Sequence, residues 1–159
     1  MQAPVFITGV AGFIGSHVAE ALLRRGDSVL GLDNFDPFYD RALKESNLDA
    51  LEAFPGFRFT EGDIRDAGAL ERWGAGESPG ALIHLAARAG VRPSVADPAA
   101  YADVNVRGTL RILSWARDRS VPRVLFASSS SVYGGNTKVP FSEDDFVDHP
   151  VSPYAATKK

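Results

Sequence analysis

The sequence predicts an α/β fold in which a doubly wound parallel sheet carries helices on both faces. Short apolar segments of strand character alternate with segments of helical periodicity along the chain. The first strand and the first helix are joined by a glycine-rich turn, Thr8-Gly9-Val10-Ala11-Gly12-Phe13-Ile14-Gly15. Because crossovers between parallel strands are right-handed, we expect the strand order 3-2-1-4-5. The chain has neither internal repeats nor an interdomain linker, so residues 1–159 are expected to form one domain.

Five strands and five helices follow from these patterns. The predicted strands cover residues 4–8, 28–33, 57–60, 81–85 and 121–127. The predicted helices cover residues 13–25, 41–54, 66–73 and 99–119, and a last helix begins near Ser152. Leu43, Leu48 and Leu51 give the second helix its apolar periodicity, and Pro55-Gly56 ends it. Loops are expected at residues 86–98 and 133–150.

Particular side chains are expected to cap helices or to fill the core. Asp66 is the predicted N-cap of the third helix, since its carboxylate can accept a hydrogen bond from a first-turn amide. His84 ends an apolar strand, where a histidine is usually packed and hydrogen-bonded rather than catalytic. In the long fourth helix the core candidates are Val104, Leu110, Leu113 and Trp115.

Composition excludes several classes of function. The chain has 159 residues, 45% of them apolar, a formal charge of −3 and no basic block, which argues against nucleic-acid binding. It contains no cysteine, three scattered histidines and one exposed acidic run, so we expect no disulfide and no metal site. Its apolar stretches are too short to span a membrane, and the first strand leaves no room for a signal peptide. A cytoplasmic protein is the expectation.

The glycine turn has the context of a dinucleotide-binding turn, because it follows a strand and opens a helix. Gly9 permits the tight turn, Gly12 allows the backbone to approach a pyrophosphate, and Gly15 lets the helix pack on the strand. The helix N-terminus then offers unpaired amides to the phosphates. An ordinary strand–helix turn is the alternative for this motif taken alone.

Asp33 ends the second strand, 18 residues beyond Gly15, where a carboxylate accepts hydrogen bonds from an adenosine ribose. Its charge repels a 2′-phosphate, and its neighbours Asn34 and Phe35 supply no positive charge to bind one. The pattern therefore favours NAD over NADP. Taken alone, Asp33 would be interpreted as a solvated turn residue.

A second group of polar residues lies near the C-terminus. Tyr154 and Lys158 are four residues apart on the last predicted helix and share a face, so the ammonium can stabilise a phenolate suited to proton abstraction. Four serines, Ser128 to Ser131, follow the fifth strand, at the sheet edge where open α/β sheets bind ligands. A surface pair and a solvated turn are the alternatives for these motifs in isolation.

Together these motifs resemble those of the extended short-chain dehydrogenase/reductases, in particular the nucleotide-sugar epimerases. The resemblance extends over the whole chain and implies the NAD-binding Rossmann domain of such an enzyme. It rests on the glycine spacing, on Gly62-Asp63-Ile64, on His84-Leu85-Ala86-Ala87, on Asn105, and on Ser129 placed 25 residues before Tyr154. It implies the following cofactor-binding residues: Gly9, Gly12, Phe13, Ile14, Gly15, Asp33, Asn34, Asp63, Ile64, Leu85, Ala86, Ala87, Asn105, Ser128, Tyr154 and Lys158.

Within this family the chain is most similar to UDP-glucuronate 4-epimerases. The similarity lies in Leu32-Asp33-Asn34-Phe35, in Ala89-Gly90-Val91-Arg92 and in the run from Ser128 to Lys159. It implies a UDP-sugar substrate bound by Arg88, Gly90, Val91, Arg92, Ser129 and Ser130. Arg88 and Pro93 depart from the family pattern, in which glutamine and tyrosine are expected, and both lie on the sugar side of the cofactor.

The resemblance implies epimerisation at C4 of UDP-glucuronate or UDP-glucose through a 4-keto intermediate. Tyr154 would take the proton of the 4-hydroxyl, Ser129 would bind the same oxygen, and Lys158 would bind the nicotinamide ribose. A 4,6-dehydratase would need an Asp-Glu pair after the catalytic serine, where this chain has Ser130 and Ser131. A UDP-uronic acid decarboxylase and a non-catalytic NAD-binding module are the remaining alternatives.

The chain is shorter than the enzymes it resembles. Their second half forms the lobe that binds nucleotide and sugar, so we expect these 159 residues to be the N-terminal portion of an enzyme. The chain alone is expected to bind NAD but to show little or no epimerase activity. For the full-length enzyme the resemblance implies a homodimer.

Overall fold

A computed structural model describes residues 3–159. Five strands form one parallel sheet in the order β3-β2-β1-β4-β5, which confirms the predicted topology. The strands are β1 (Val5–Thr8), β2 (Val29–Asp33), β3 (Phe57–Glu61), β4 (Ala81–His84) and β5 (Val124–Phe126). The helices are α1 (Phe13–Arg24), α2 (Arg41–Glu52), α3 (Ala67–Trp73), α4 (Val91–Ala96), α5 (Pro98–Tyr101), α6 (Thr109–Asp118) and α7 (Pro153–Lys158). A π-helical segment (Ala102–Gly108) joins α5 to α6, and a 3₁₀ helix (Ser130–Tyr133) follows β5.

Each face of the sheet is covered by helices, which gives two apolar clusters. On one face Phe6 packs against Trp73 of α3 and Trp115 of α6, and the two indole rings stack with centroids 5.0 Å apart. On the other face Ile7 and Val29 pack among residues of α1 and α2. Two-sided burial explains why the central strands are apolar throughout rather than alternating. No helix within residues 3–159 is both long enough and apolar enough to cross a membrane.

Three side chains predicted from periodicity to face the core are exposed. Leu110 and Leu113 are 59% and 44% exposed, whereas Ile112 and Trp115 of the same helix are buried. In α2, Leu43 is 62% exposed, and the buried stripe runs through Lys44, Leu48 and Leu51. Both helices carry apolar residues on more than one face. Contact with the sheet selects the buried face of α2, and contact with the sheet and with Trp73 selects the buried face of α6.

The predicted loop over residues 86–98 was wrong, because it contains the helix α4. Gly90, with φ of +100°, occupies its N-cap, and the Ser94 hydroxyl donates to the carbonyl of Val91 over 2.6 Å. Pro93 stands in the first turn, where proline is tolerated because its amide would have no partner. The predicted helix 99–119 is instead the continuous series α5, π-helical segment and α6, and β5 is shorter than predicted. Asp66 caps α3 as expected.

His84 is a buried core residue, as predicted, and it joins β4 to β1 and α6. Its Nδ1 lies 2.6 Å from the Thr8 hydroxyl and its Nε2 lies 3.0 Å from the Thr109 hydroxyl. The Thr8 oxygen also accepts hydrogen bonds from the amides of Leu85 and Ala86, so its hydrogen is donated to Nδ1. Burial, with a smaller effect of the Lys158 charge, lowers the pKa of His84 to about 4. His84 is therefore neutral in the folded protein.

Because His84 is neutral in the folded protein, the free energy of unfolding depends on pH between about pH 6.5 and pH 4. Between about pH 6.5 and pH 4 the unfolded chain binds a proton at His84 that the folded chain does not bind. We expect the free energy of unfolding to fall by about 2–3 kcal/mol as the pH drops through this window, with the contribution fully present above pH 6.5. Urea unfolding at several pH values measures this effect, and the His84→Asn variant should show a flatter dependence of the unfolding free energy on pH between pH 6.5 and pH 4 than the wild type. Equal slopes for wild type and His84→Asn would contradict the assignment.

Candidate functional site

The glycine turn packs so closely that Gly9 and Gly15 leave no room for side chains and Gly12 leaves very little. Gly9 adopts φ of +74°, and a Cβ there would lie 2.8 Å from the amide nitrogen of Ala86. A Cβ on Gly15 would overlap the carbonyl oxygen of Gly9, and one on Gly12 would lie 3.3 Å from the same oxygen. The turn therefore holds the N-terminus of α1 directly against the carboxyl ends of β1 and β4, with its backbone accessible to a ligand.

An open cleft with a volume of about 270 Å³ lies over this edge of the sheet. Most of the predicted cofactor-binding residues line it, together with Arg88. These residues are Gly9, Gly12, Phe13, Ile14, Gly15, Asp33, Asn34, Asp63, Ile64, Leu85, Ala86 and Ala87. Phe13 and Ile14 are 75% and 61% exposed, which is costly for apolar side chains unless a ligand covers them. Asn105, Ser128, Tyr154 and Lys158 lie outside this lining.

Asp33 is held at the end of β2 by three donors. Its Oδ2 accepts from the amide of Ala11 in the glycine turn, and its Oδ1 accepts from the amide of Phe35. The third donor is Lys44 of α2, whose Nζ lies 3.1 Å from Oδ1. A second α2 residue, Asn47, donates to the carbonyl of Ala11. Helix α2 thus fixes both the carboxylate and the turn.

Asp63 lies on the adjacent strand end and is also paired. Arg65 donates to both of its oxygens, and the Asn34 amide donates to Oδ2 over 2.8 Å. The hydrogen bond from Arg65 lowers the pKa of Asp63 to about 2. Asp63 is therefore an ionised acceptor in the cleft at neutral pH.

Asn105 connects the cleft to the last helix. It lies in the π-helical segment, is 3% exposed, and exchanges hydrogen bonds with both backbone groups of Arg88. Its amide also donates to the hydroxyl of Thr157, which in turn donates to the carbonyl of Tyr154. π-Helical turns often occur at functional sites because they redirect one side chain. Here the redirected side chain fixes the loop after β4 relative to α7.

The serines and Lys158 meet at the carboxyl end of β5. The Lys158 ammonium donates to the carbonyl of Ala127, which lines the cleft, and the Ser128 hydroxyl donates to the carbonyl of Lys158. Burial lowers the pKa of Lys158 to about 8, so the ammonium is still mostly charged at neutral pH. The Ser129 oxygen accepts from the amide of Ser131, which leaves its hydrogen available for a ligand. Ser130 is exposed in the 3₁₀ helix.

Tyr154 is half-buried beside Tyr101, with ring centroids 6.1 Å apart in an edge-to-face arrangement. The Tyr101 hydroxyl donates to the carbonyl of Ala89, and the Arg88 guanidinium lies 5.9 Å from the centre of the Tyr101 ring. Arg88 carries a buried Nε that has no hydrogen-bond partner within residues 3–159. The other predicted substrate residues, Gly90, Val91 and Arg92, form the start of α4, and Val91 is 39% exposed.

Comparison with known proteins identifies the family of this chain. The model of the NAD dependent epimerase/dehydratase family matches residues 5–159. The chain belongs to this family. It is 49% identical over 156 residues to UDP-glucuronate 4-epimerase 3 of Arabidopsis thaliana, covering 98% of this chain and 36% of that relative. The chain therefore spans well under half the length of this curated relative.

Solved structures of family members have the same fold. The Bacillus cereus UDP-glucuronic acid 4-epimerase, solved as a mutant with NAD and a fluorinated UDP-sugar, superposes with a TM-score of 0.87 at 34% identity. A Streptomyces venezuelae dTDP-glucose 4,6-dehydratase with bound NAD gives a TM-score of 0.85 at 38% identity. Each match covers 98% of this chain and 48% of the other.

Two residues of the site, Lys44 and Asn47, were not predicted from the sequence. The apolar periodicity of α2 predicts leucines on its inner face, and the residues adjacent to Asp33 include no cation. The available signal was the spacing of Lys44, Leu48 and Leu51, since positions four and seven residues apart share one helix face. A lysine on a buried helix stripe indicates a partner of opposite charge. Within residues 3–159, no group of acidic or histidine side chains is arranged to hold a metal ion.

Because the glycine turn is closely packed, one added methyl group at Gly15 is expected to lower the free energy of unfolding strongly. We expect Gly15→Ala to lower the free energy of unfolding by about 2 kcal/mol or more, because the new Cβ meets backbone that cannot move aside easily. Gly135→Ala is the matched control, since a Cβ there meets no atom within 4 Å, and its effect should stay within about 0.5 kcal/mol. Urea unfolding measures both. Similar stabilities for the two variants would show that the turn is looser than described.

Proposed function

We propose that this chain forms the NAD-binding part of a nucleotide-sugar 4-epimerase that acts on a UDP-sugar. The observation that carries the proposal is that the glycine turn and Asp33 line one cleft at the sheet edge, and that Lys158 donates to the carbonyl of Ala127 in the same lining. Ser129 follows Ala127 at that edge, and Tyr154 lies on the same helix as Lys158. The names of the relatives support the same substrate class. A cytoplasmic location and a homodimer of the full-length enzyme stay predictions.

The cofactor half of the proposal rests on the fit of the cleft to a dinucleotide. Because Gly9 and Gly15 have no space for side chains, a pyrophosphate could meet the backbone of the glycine turn and the amides at the start of α1. Asp33 and Asp63 would accept hydrogen bonds from the adenosine end, and the small side chains of Ala86 and Ala87 would face the nicotinamide end. When bound, NAD supplies acceptance and return of a hydride at the sugar carbon.

The proposed chemistry of the chain is proton transfer at the sugar 4-hydroxyl. Tyr154 would hold the proton that this hydroxyl loses, and the free hydrogen of Ser129 would be donated to the same oxygen. Lys158 would supply the nearby positive charge that favours a phenolate. Asn105 fixes α7, and therefore the Tyr154 backbone, relative to the cleft. Orientation of these groups would account for a large part of the rate gain.

Two alternative reactions differ in the residues that they need. A dehydratase needs an acid and a base after Ser129, and Ser130 and Ser131 are hydroxyls that titrate far outside the useful range. A decarboxylase acting on a UDP-uronic acid shares the first oxidation and needs no such pair. Product analysis with UDP-glucuronate separates it from an epimerase, because only decarboxylation releases carbon dioxide.

A chimera tests the proposed reaction. This chain replaces the matching N-terminal part of the Bacillus cereus epimerase, and interconversion of UDP-glucuronate and its C4 epimer is measured. We expect the chimera to be active, and Tyr154→Phe to lower kcat by about 100-fold or more, because the phenol is lost as a proton acceptor. Tyr133→Phe is the control, since the Tyr133 ring stacks on Phe141 and keeps that contact.

Two outcomes would contradict the proposal. Full activity of the Tyr154→Phe chimera would remove the proton-transfer role, and release of carbon dioxide would assign the chain to the decarboxylases. The isolated 159-residue chain is expected to show little turnover in the same assay.

Arg88 is the residue best placed to distinguish a charged sugar from a neutral one. Its Nε is buried without a hydrogen-bond partner within residues 3–159, its backbone is fixed by Asn105, and a guanidinium with an unsatisfied buried donor favours an oxyanion as ligand. In the chimera we expect Arg88→Gln to lower kcat/KM for UDP-glucuronate by about tenfold and to change kcat/KM for UDP-glucose much less. An equal loss with both sugars would assign Arg88 to a phosphate common to both substrates or to the cofactor.

A further inference from the structure

Lys44 occupies a position that is unfavourable for a lysine. It is 7% exposed, on the buried stripe of α2, and it lies in the first turn of that helix. Burial penalises an ammonium, and the partial positive charge of a helix N-terminus adds repulsion. Lys44 therefore requires a compensating negative charge, and Asp33 supplies it at 3.1 Å.

The ion pair between Lys44 and Asp33 is better explained by a role in the cleft than by a contribution to the stability of the fold. A buried ion pair contributes little net stability, because the cost of removing two charges from water offsets their attraction. Leu48 and Leu51 already anchor α2 to the sheet through apolar contacts. Both members of the pair line the cofactor cleft, where the cationic side chains are Lys44 and Arg88.

The hydrogen bonds that the Asp33 carboxylate accepts show how Lys44 orients it. Oδ1 accepts from Lys44 and from the amide of Phe35, which uses both of its lone pairs. Oδ2 accepts from the amide of Ala11 and keeps one lone pair for a ligand. The carboxylate is thus held in one orientation with one position open to a hydroxyl, and the ammonium beside it balances its charge.

We propose that Lys44 is a positioning and selectivity residue of the cofactor site: it orients Asp33 toward the adenosine ribose, and it becomes a 2′-phosphate-binding group when Asp33 is replaced. The inference rests on the proposed NAD-binding function and adds to it a residue that supports NAD binding through Asp33 and favours NADP once the Asp33 charge is removed. Removing the Asp33 charge leaves Lys44 buried and unpaired at the ribose end of the cleft, and a phosphate monoester provides the missing partner.

Calorimetric titration of four proteins tests this role. The proteins are the wild type, Asp33→Asn, Lys44→Met and the double variant Asp33→Asn/Lys44→Met, each titrated with NAD⁺, NADP⁺ and adenosine 2′,5′-bisphosphate. We expect the wild type to prefer NAD⁺, and Lys44→Met to weaken NAD⁺ binding about threefold to tenfold through the loss of Asp33 orientation. Asp33→Asn should raise the affinity for NADP⁺ relative to NAD⁺ by about tenfold or more.

The double variant Asp33→Asn/Lys44→Met tests whether Lys44 causes the gain in NADP⁺ affinity. It should lose most of the gain in NADP⁺ and bisphosphate affinity, whereas Asp33→Asn/Lys44→Arg, which keeps the charge, should retain it. Lys138→Met, which removes an exposed lysine paired with Asp145, is the matched control and should bind like the wild type. Circular dichroism and urea unfolding check that each variant is folded; the double variant removes both charges and leaves neither unpaired.

The outcomes separate the role of Lys44 from the proposed function. In one outcome the wild type binds NAD⁺ while Lys44→Met leaves the ratio of NADP⁺ to NAD⁺ affinity unchanged, both in the wild type and in Asp33→Asn. That result overturns the role of Lys44 and leaves NAD binding in place. If the folded wild type binds neither dinucleotide, both the role of Lys44 and the proposed cofactor are overturned.

Discussion

The rest of the site depends on the contact between the start of α1 and the carbonyl of Gly9. This contact excludes even a methyl group at Gly15, so helix and strand meet at backbone distance. The same turn is held from outside by α2 and β2, since Ala11 donates to Asp33 and accepts from Asn47. A ligand at this turn therefore meets backbone donors that are already fixed, and little conformational entropy remains to be lost on binding.

A second set of contacts joins the cofactor cleft to the residues that would carry the chemistry. Asn105 binds the loop after β4 and the helix α7, while Lys158 and Ser128 bind α7 to the end of β5. These bonds cross between segments far apart in sequence. Together with the hydrogen bond from Tyr101 to Ala89 and the packing of Tyr101 against Tyr154, the Asn105 amide fixes Arg88 and Tyr154 relative to each other.

Much of the fold was predictable because local patterns and topology rules agree with the tertiary structure. The glycine turn and the Asp66 cap of α3 follow from short-range rules, and the strand order follows from the handedness of the crossovers. The predictions that were wrong concern helices whose apolar pattern is compatible with burial of either of two faces. Leu43 and Lys44 are adjacent on a helix that could bury either side, and Leu110 and Ile112 pose the same choice on α6.

The sequence by itself determined the order of elements, the class of ligand suited to the turn, and the candidate acid–base residues, because each depends on residue type at a fixed local spacing. Only the tertiary structure decided which helix faces are buried, that Lys44 pairs with Asp33, and that the Arg88 Nε has no hydrogen-bond partner within residues 3–159. Those features depend on contacts between segments brought together by the sheet. Spacing along the chain does not specify such contacts, since each is selected by the packing of the whole core.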